Sequence, residues 1–445
     1  MDRPTRATTG RGPGGARWRG PAALVIGAAF ALVATACQAT VTPIPATPTP
    51  SFPPATPTPV PGTPAPTEDV LVILQRIQDQ VAALRGLAPT KSVVPQFPDD
   101  AAFDAIIARI VAEDIPPDEL RKAELLYRTL GLMTGDATLQ ELYLDLLTTQ
   151  VAGLYDPVTE GLYVRATGAG IGPVEQVYFA HEFQHALQDQ HFDLEALQDL
   201  PIDQGDRILA QQALVEGDAY VLMTQWLLGN LGPEGLSALI AASSDPEAQA
   251  ALDAIPRIVQ AQILFSALEG TLFVQGLQAA GGWAAVDAAL ADPPVSSEQV
   301  LHPEKYAARE APIEVSLPSD PAGRMGAGWT EVLRDTLGEH QLGIWLDAEG
   351  SRSTAAEIAA AAVGWGGDRL ILLESATATG AAIVTEWDTA NDAAEFAEVA
   401  QAAIEARGLA GGVVRQPGSR RVTVLIASDD AAAIRLDLVF GITGV

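Results

Sequence analysis

Thirty residues of this chain cannot join a core. From Gln38 to Thr67 there is no charged residue, and proline and threonine dominate, as in "TPIPATPTPSFPPATPTPVPGTPAPT". Proline fixes φ and removes a backbone donor, so neither helix nor sheet runs through such a stretch. It reads as an extended, semi-stiff tether, at about 3.1 Å per residue where it is polyproline-like. The folded part of the chain therefore starts near Glu68.

What precedes the tether gives it a purpose. Arg3, Arg6, Arg11, Arg17 and Arg19 lead into the apolar run "PAALVIGAAFALVATA", which ends at Cys37, the single cysteine of the chain. The run is shorter than the roughly 20 residues of a membrane span, and Ala34 to Ala36 are small enough for a signal peptidase. Residues 1–36 read as an export signal. A small residue directly before a lone cysteine resembles a bacterial lipobox, so Cys37 is the expected lipidation site and residues 37–67 the tether. The expected location is the outer face of the membrane, as a cell-envelope lipoprotein that meets the membrane through its lipid anchor only. One cysteine allows no disulfide within the chain. A formal net charge of −30 argues against nucleic acid and anionic lipid as partners.

Beyond the tether the hydrophobic pattern changes twice. Val70, Ile73, Leu74, Ile77, Val81 and Leu84 recur at helical spacing, and further helix is expected from Asp99 to Thr149. "GLYDPVTEGLYV" (Gly153 to Val164) has two short β-prone runs around Asp156-Pro157 and Gly161, a β-hairpin pattern. Helices dominate again from Pro173 to about Ala362. Then two apolar strands, near 369–375 and 380–386, lead to a helix over 390–407 ended by Gly408, with two more strands around Pro417-Gly418-Ser419. The expected fold class is α+β: a mostly helical domain over 68–364 with a small β-hairpin before its central helix, and a small α+β domain over 365–445.

The chain has five histidines, and three lie in "YFAHEFQHALQDQHFD" (Tyr178 to Asp193). Gly172-Pro173 is a good helix start. Val174, Val177, Tyr178, His181 and His185 then share one face, which turns from apolar to imidazole. Residues four apart stack on a helix, so His181 and His185 reach one ion. "HEFQH" is HExxH, in which the glutamate, Glu182, activates water beside a bound zinc. A chance match is the alternative.

Two histidines leave a third ligand to find. His181, His185 and His191 match the spacing HExxHxxGxxH, but that pattern needs a sharp break at its glycine, where this chain has Gln188, which resists φ > 0. If the helix continues, His191 lies roughly 240° round the axis from His185. The other candidate is Glu216, in the apolar run "DRILAQQALVEGDAYVLMTQWLL". A buried carboxylate is costly unless paired, and a metal pairs it. Gly217 beside it suggests a close approach to the HExxH helix. An ion pair with an arginine such as Arg207 is the plainer reading of Glu216.

With HEFQH and a downstream helical glutamate, the chain resembles the gluzincin group of zinc metallopeptidases. More closely, "GLYDPVTEGLYV", "AHEFQHALQDQHFDL", "ALVEGDA", "SSEQVLHPEKY" and "GWGGDR" resemble a set of exported bacterial and archaeal zincin-like proteins, over about residues 150 to 370. The resemblance implies one Zn2+ per chain held by His181, His185 and Glu216, with Glu182 as general base. "DQHFDL" belongs to the same pattern and keeps His191 in play. Tyr155, His302 and Tyr306 are candidate donors to a tetrahedral oxyanion, with core packing or helix capping as the alternative roles. Asp189 and Asp218 are candidates to orient the imidazoles. The hairpin is a candidate edge for an extended peptide.

These features point to a zinc metallopeptidase acting on peptide or protein substrates. HExxH specifies activated water and not substrate, so a zinc hydrolase of a non-peptide amide remains as an alternative. A non-catalytic, tethered binding or assembly lipoprotein is a third.

Overall fold

A computed structural model describes residues 17–18, 70–165, 171–244 and 246–441. Cys37, the rest of the leader and the Pro/Thr stretch lie outside the described residues. Arg17–Trp18 pair antiparallel with Leu200–Pro201.

Helix α1 (Val70–Arg85) buries Leu74, Ile77 and Val81, the stripe its spacing predicts. Three helices, Asp100–Asp114, Pro117–Thr129 and Leu139–Gln150, fill the next predicted segment. Their starts are written in the sequence: Asp99 accepts from the Ala102 amide, and Thr138 and Glu141 form a reciprocal capping box. The hairpin follows, as β1 (Gly153–Asp156) and β2 (Gly161–Val164), in register from Gly153↔Val164 to Asp156↔Gly161. The outer edge of β2 is already taken. Gln96 donates to Leu162 O (2.8 Å) and accepts from the Val164 amide (2.9 Å). An extended peptide cannot add there, which corrects that expectation for one of the two edges.

Two long helices form the centre of the molecule. Helix α2 (Pro173–Phe192) carries HEFQH, and α3 (Gly205–Asn230) carries Glu216. They run antiparallel: His181 meets Tyr220, Gln184 meets Asp218, and Gln188 meets Val215. The other side of α3 packs on α4 (Gly270–Gly281), backbone against backbone. A Cβ on Gly217 would lie 2.2 Å from Gly270 O, and one on Gly270 would lie 2.1 Å from Ala213 O. Gly217 was expected to admit the HExxH helix; it admits α4 instead. Consecutive helix residues point about 100° apart, so the neighbour of a ligand faces a different partner. A π-helical turn, Phe265–Glu269, leads into α4.

The C-terminal part is a five-stranded antiparallel sheet with order β3-β4-β5-β7-β6. Its elements are β3 (Thr330–Asp335), β4 (Trp365–Glu374), β5 (Thr379–Trp387), α5 (Ala390–Arg407), β6 (Ala410–Val414), β7 (Arg421–Ala427) and α6 (Asp430–Phe440). Leu370 and Leu372 face one side, with Phe396 and Ile404 of α5; Ile371 and Leu373 face the other, with Leu436 and Val439 of α6. A sheet covered on both faces explains the unbroken apolar run "LILLE". The four strands and the helix over 390–407 fall where the sequence places them. The edge strand β3 and helix α6 do not appear in that reading, and β3 draws the sheet back to residue 330, upstream of the expected boundary at 365. The molecule is α+β, with a helical part and this sheet.

Candidate metal centre

Helix α2 starts at Pro173 and runs unbroken through Gln188 to Phe192, ending where Asp193 takes φ 57°. His181 and His185 therefore sit one turn apart with Nε2 atoms 3.0 Å from each other. Glu216 closes the third side. Its Oε2 lies 3.4 Å from His181 Nε2, and its Oε1 lies 3.7 Å from His185 Nε2. Ligands at about 2.0–2.1 Å in tetrahedral array around zinc stand about 3.3 Å apart, close to these three separations.

Burial and charge decide whether the residues fit a cation. His181, Glu182 and Glu216 are fully buried and His185 is 1% exposed. Neither oxygen of Glu216 has a hydrogen-bond partner, and Oε1 of Glu182 has none. Burial pushes the pKa of both carboxyl groups well above the usual range. It pushes His181 well below its usual value and His185 down to about 4. The imidazoles are thus neutral, the form that coordinates a metal, while two buried acids lack a counter-charge. A divalent cation supplies it. The donor set and its unpaired oxygens fit zinc.

A buried chain of side chains orients His185. Gln188 Nε2 donates to Val215 O and to Asp218 Oδ2, both at 2.9 Å. Its carbonyl oxygen must then face His185, and it accepts from Nδ1 at 2.7 Å. That puts the proton on Nδ1 and leaves the Nε2 lone pair aimed at Glu216 and His181. Asp218 also accepts from Gln184 Nε2 (2.9 Å) and Arg85 Nε (3.0 Å). Arg85 is itself buried at the end of α1, pairs with Asp287 (2.6 Å) and lies over Trp283.

Glu182 points the other way, to the hairpin. Its Oε2 accepts the Tyr155 backbone amide at 2.8 Å. One carboxylate oxygen is fixed by backbone and the other is free for a proton.

The other candidates divide. His191 is exposed and meets Ala88 O at 2.9 Å, away from the cluster. Asp218 serves an imidazole, but through Gln188. Asp189 does not serve one: it accepts from the Tyr155 hydroxyl (2.8 Å) and the Leu194 amide (3.1 Å). Tyr155 therefore contributes its amide, with its phenol spent on Asp189. His302 bonds Glu339 (3.0 Å) and Tyr306 donates to Asp292 O (2.8 Å), so neither stands as an oxyanion donor. Sequence reasoning missed Arg85, Gln184, Tyr220 and the role of Gln188. The signal for Gln188 was its place three residues after His185, on the same helical face. A second acidic group, Glu298, Glu310 and Asp388, is filled by the Lys305 ammonium at 2.6, 2.9 and 2.9 Å.

Residues 326–438 match a family described as a domain of unknown function, DUF8575. The match covers the five-stranded sheet and most of α6, and none of the metal cluster. No curated protein and no solved structure matches the chain.

Proposed function

We propose that this protein is a zincin-like, gluzincin-type zinc metallopeptidase of the cell envelope, exported and tethered through Cys37. The observation that carries the reading is Glu182, a fully buried carboxylate beside the His181–His185–Glu216 cluster, with Oε2 held by the Tyr155 amide and Oε1 unpaired. His181, His185 and Glu216 would hold zinc, which when bound would supply Lewis acidity toward a substrate carbonyl and toward water. Glu182 Oε1 takes the proton of the attacking water and returns it to the leaving amine. Gln188 and Asp218 keep the Nδ1 proton of His185 in place throughout. The hairpin amide keeps Glu182 from swinging into the ligand set.

A structural zinc in a tethered assembly protein has one observation in its favour, the complete burial of the cluster. Structural sites, however, close with four protein ligands, whereas this cluster offers three and a carboxylate oxygen beside them. Glu182→Gln decides between the two. The amide should keep one zinc per chain and the fold, and lose at least about 100-fold in hydrolysis of an unstructured protein such as casein. Wild-type activity in that variant removes Glu182 from the chemistry. A panel of non-peptide amides tests the remaining alternative.

A further inference from the structure

A cavity lies outside the metal centre, at the junction of the helical part and the sheet. It has a volume of about 190 Å³ and is partly open to solvent. Its walls come from helices Pro117–Thr129 and Leu139–Gln150, the first turns of α3, helix Arg257–Leu264 and strand β3. None of His181, Glu182, His185 and Glu216 lines it, although Gln212, which does, is one helical turn from Glu216.

The lining sets the chemistry of an occupant. Most of it is aliphatic: Leu120, Leu139, Ile208, Ile263 and Leu333. The polar groups that reach it are phenols and amides, from Tyr127, Tyr143, Gln212, Gln262 and Gln341, with Gln262 Nε2 donating to Gln341 Oε1 at 2.8 Å. Burial pushes the Tyr127 phenol up to about 12, so it stays a neutral donor. Of the charged groups at the cavity, Arg334 and Glu119 are paired, and Asp335 has one oxygen held by backbone. Arg334 makes two bonds to Glu331 (2.7 and 2.9 Å), Glu119 takes the Lys122 ammonium (2.9 Å), and Asp335 Oδ1 accepts the Gly205 and Thr336 amides (both 2.8 Å). An anion would give up its hydration with no free cation in return, and an ammonium would meet only Asp335, whose carboxyl burial already pushes up to about 7. An apolar protein cavity of roughly 150 Å³ takes benzene, so this one has room for about seven or eight heavy atoms.

We propose that this cavity binds an uncharged organic molecule with a small aliphatic or aromatic body and one hydroxyl or amide-like end. Two parts of the fold meet around it, so its occupant contacts both. The site is independent of the metal reading, and the test is made on the full chain as purified.

Hexan-1-ol, hexanoate and hexylamine share one chain and differ in charge. Methyl-labelled protein is titrated with each. Hexan-1-ol should shift the Ile208, Ile263 and Leu333 methyl resonances, and the two charged probes should need at least tenfold higher concentration. Ala123→Phe, which fills the cavity from the Pro117–Thr129 helix, should abolish those shifts, and the milder Ala123→Leu should weaken them. Circular dichroism identifies a variant that has not folded, in which case Ala123→Leu carries the comparison. Equal binding of the charged probes, shifts confined to other methyls, or undiminished binding in a folded filled variant overturns the proposal.

Discussion

Replacing Glu216 by leucine tests the metal centre through stability, with opposite signs in its two states. Both Glu216 oxygens are buried without a hydrogen bond, and its nearest polar contacts are two neutral imidazoles at 3.4 and 3.7 Å. Such an unsatisfied buried group costs about 1–3 kcal/mol. Leucine has similar bulk and no polar atom, so Glu216→Leu should stabilise the metal-free protein by about that amount. For a large domain this is a rise of roughly 2–10 °C in Tm. Zinc reverses the order. At free zinc 1,000-fold above its Kd, the wild type gains about 4.1 kcal/mol by mass action, more than the whole of that range, and a variant that has lost one of three ligands gains little. Differential scanning fluorimetry in chelator and in buffered zinc, with elemental analysis of the purified proteins, reads both signs. A variant that is destabilised without metal and still holds one zinc per chain would refute the assignment of Glu216 as ligand.

Other outcomes follow from the same geometry. His191→Ala should leave zinc stoichiometry at one per chain, because its imidazole bonds Ala88 O outside the cluster; loss of zinc by elemental analysis would restore the HExxHxxGxxH reading. Gln188→Ala should lower zinc affinity about 10–100-fold in chelator competition, since it frees the Nδ1 proton of His185; unchanged affinity would show that the orienting chain is idle. Gly217→Ala should destabilise by about 1–3 kcal/mol or more in urea melts, because the new methyl meets Gly270 O at 2.2 Å. Burial raises Asp335 from 3.8 to about 7 and Asp368 from 3.8 to about 6. The folded chain thus keeps protons that the unfolded chain has released, and stability falls as pH rises from about 4 to about 7. Tm should be higher at pH 5 than at pH 8, with a smaller difference in Asp335→Asn; a wild-type Tm that climbs across this window contradicts the sign.

What the sequence determined by itself is local. The proline start of α2 and its continuation past Gln188 follow from residue types that settle backbone geometry within a turn or two. The same holds for the hairpin around Asp156-Pro157 and Gly161, and for the helix closed by Gly408, which takes φ 64°. HEFQH placed two imidazoles on one face, because four residues make about one turn. A carboxylate in an apolar run marked Glu216, because burial without a partner is costly. The tertiary structure decided what no local rule carries. Asp218 reads equally well as a surface charge until Arg85, 133 residues earlier, meets it in the core. Gln188 looks like an ordinary helix former until Val215 O and Asp218 fix which way its amide faces. Gly217 signals a close approach without naming the partner, and only the packed fold chooses α4 over α2. Strand β3 is joined to its sheet through Trp365–Glu374, across the Gly338–Leu346 and Ala355–Ala362 helices, so its partner cannot be read from its own six residues. Spacing along a helix is fixed by covalent geometry; which faces meet is fixed by the packing of the whole chain.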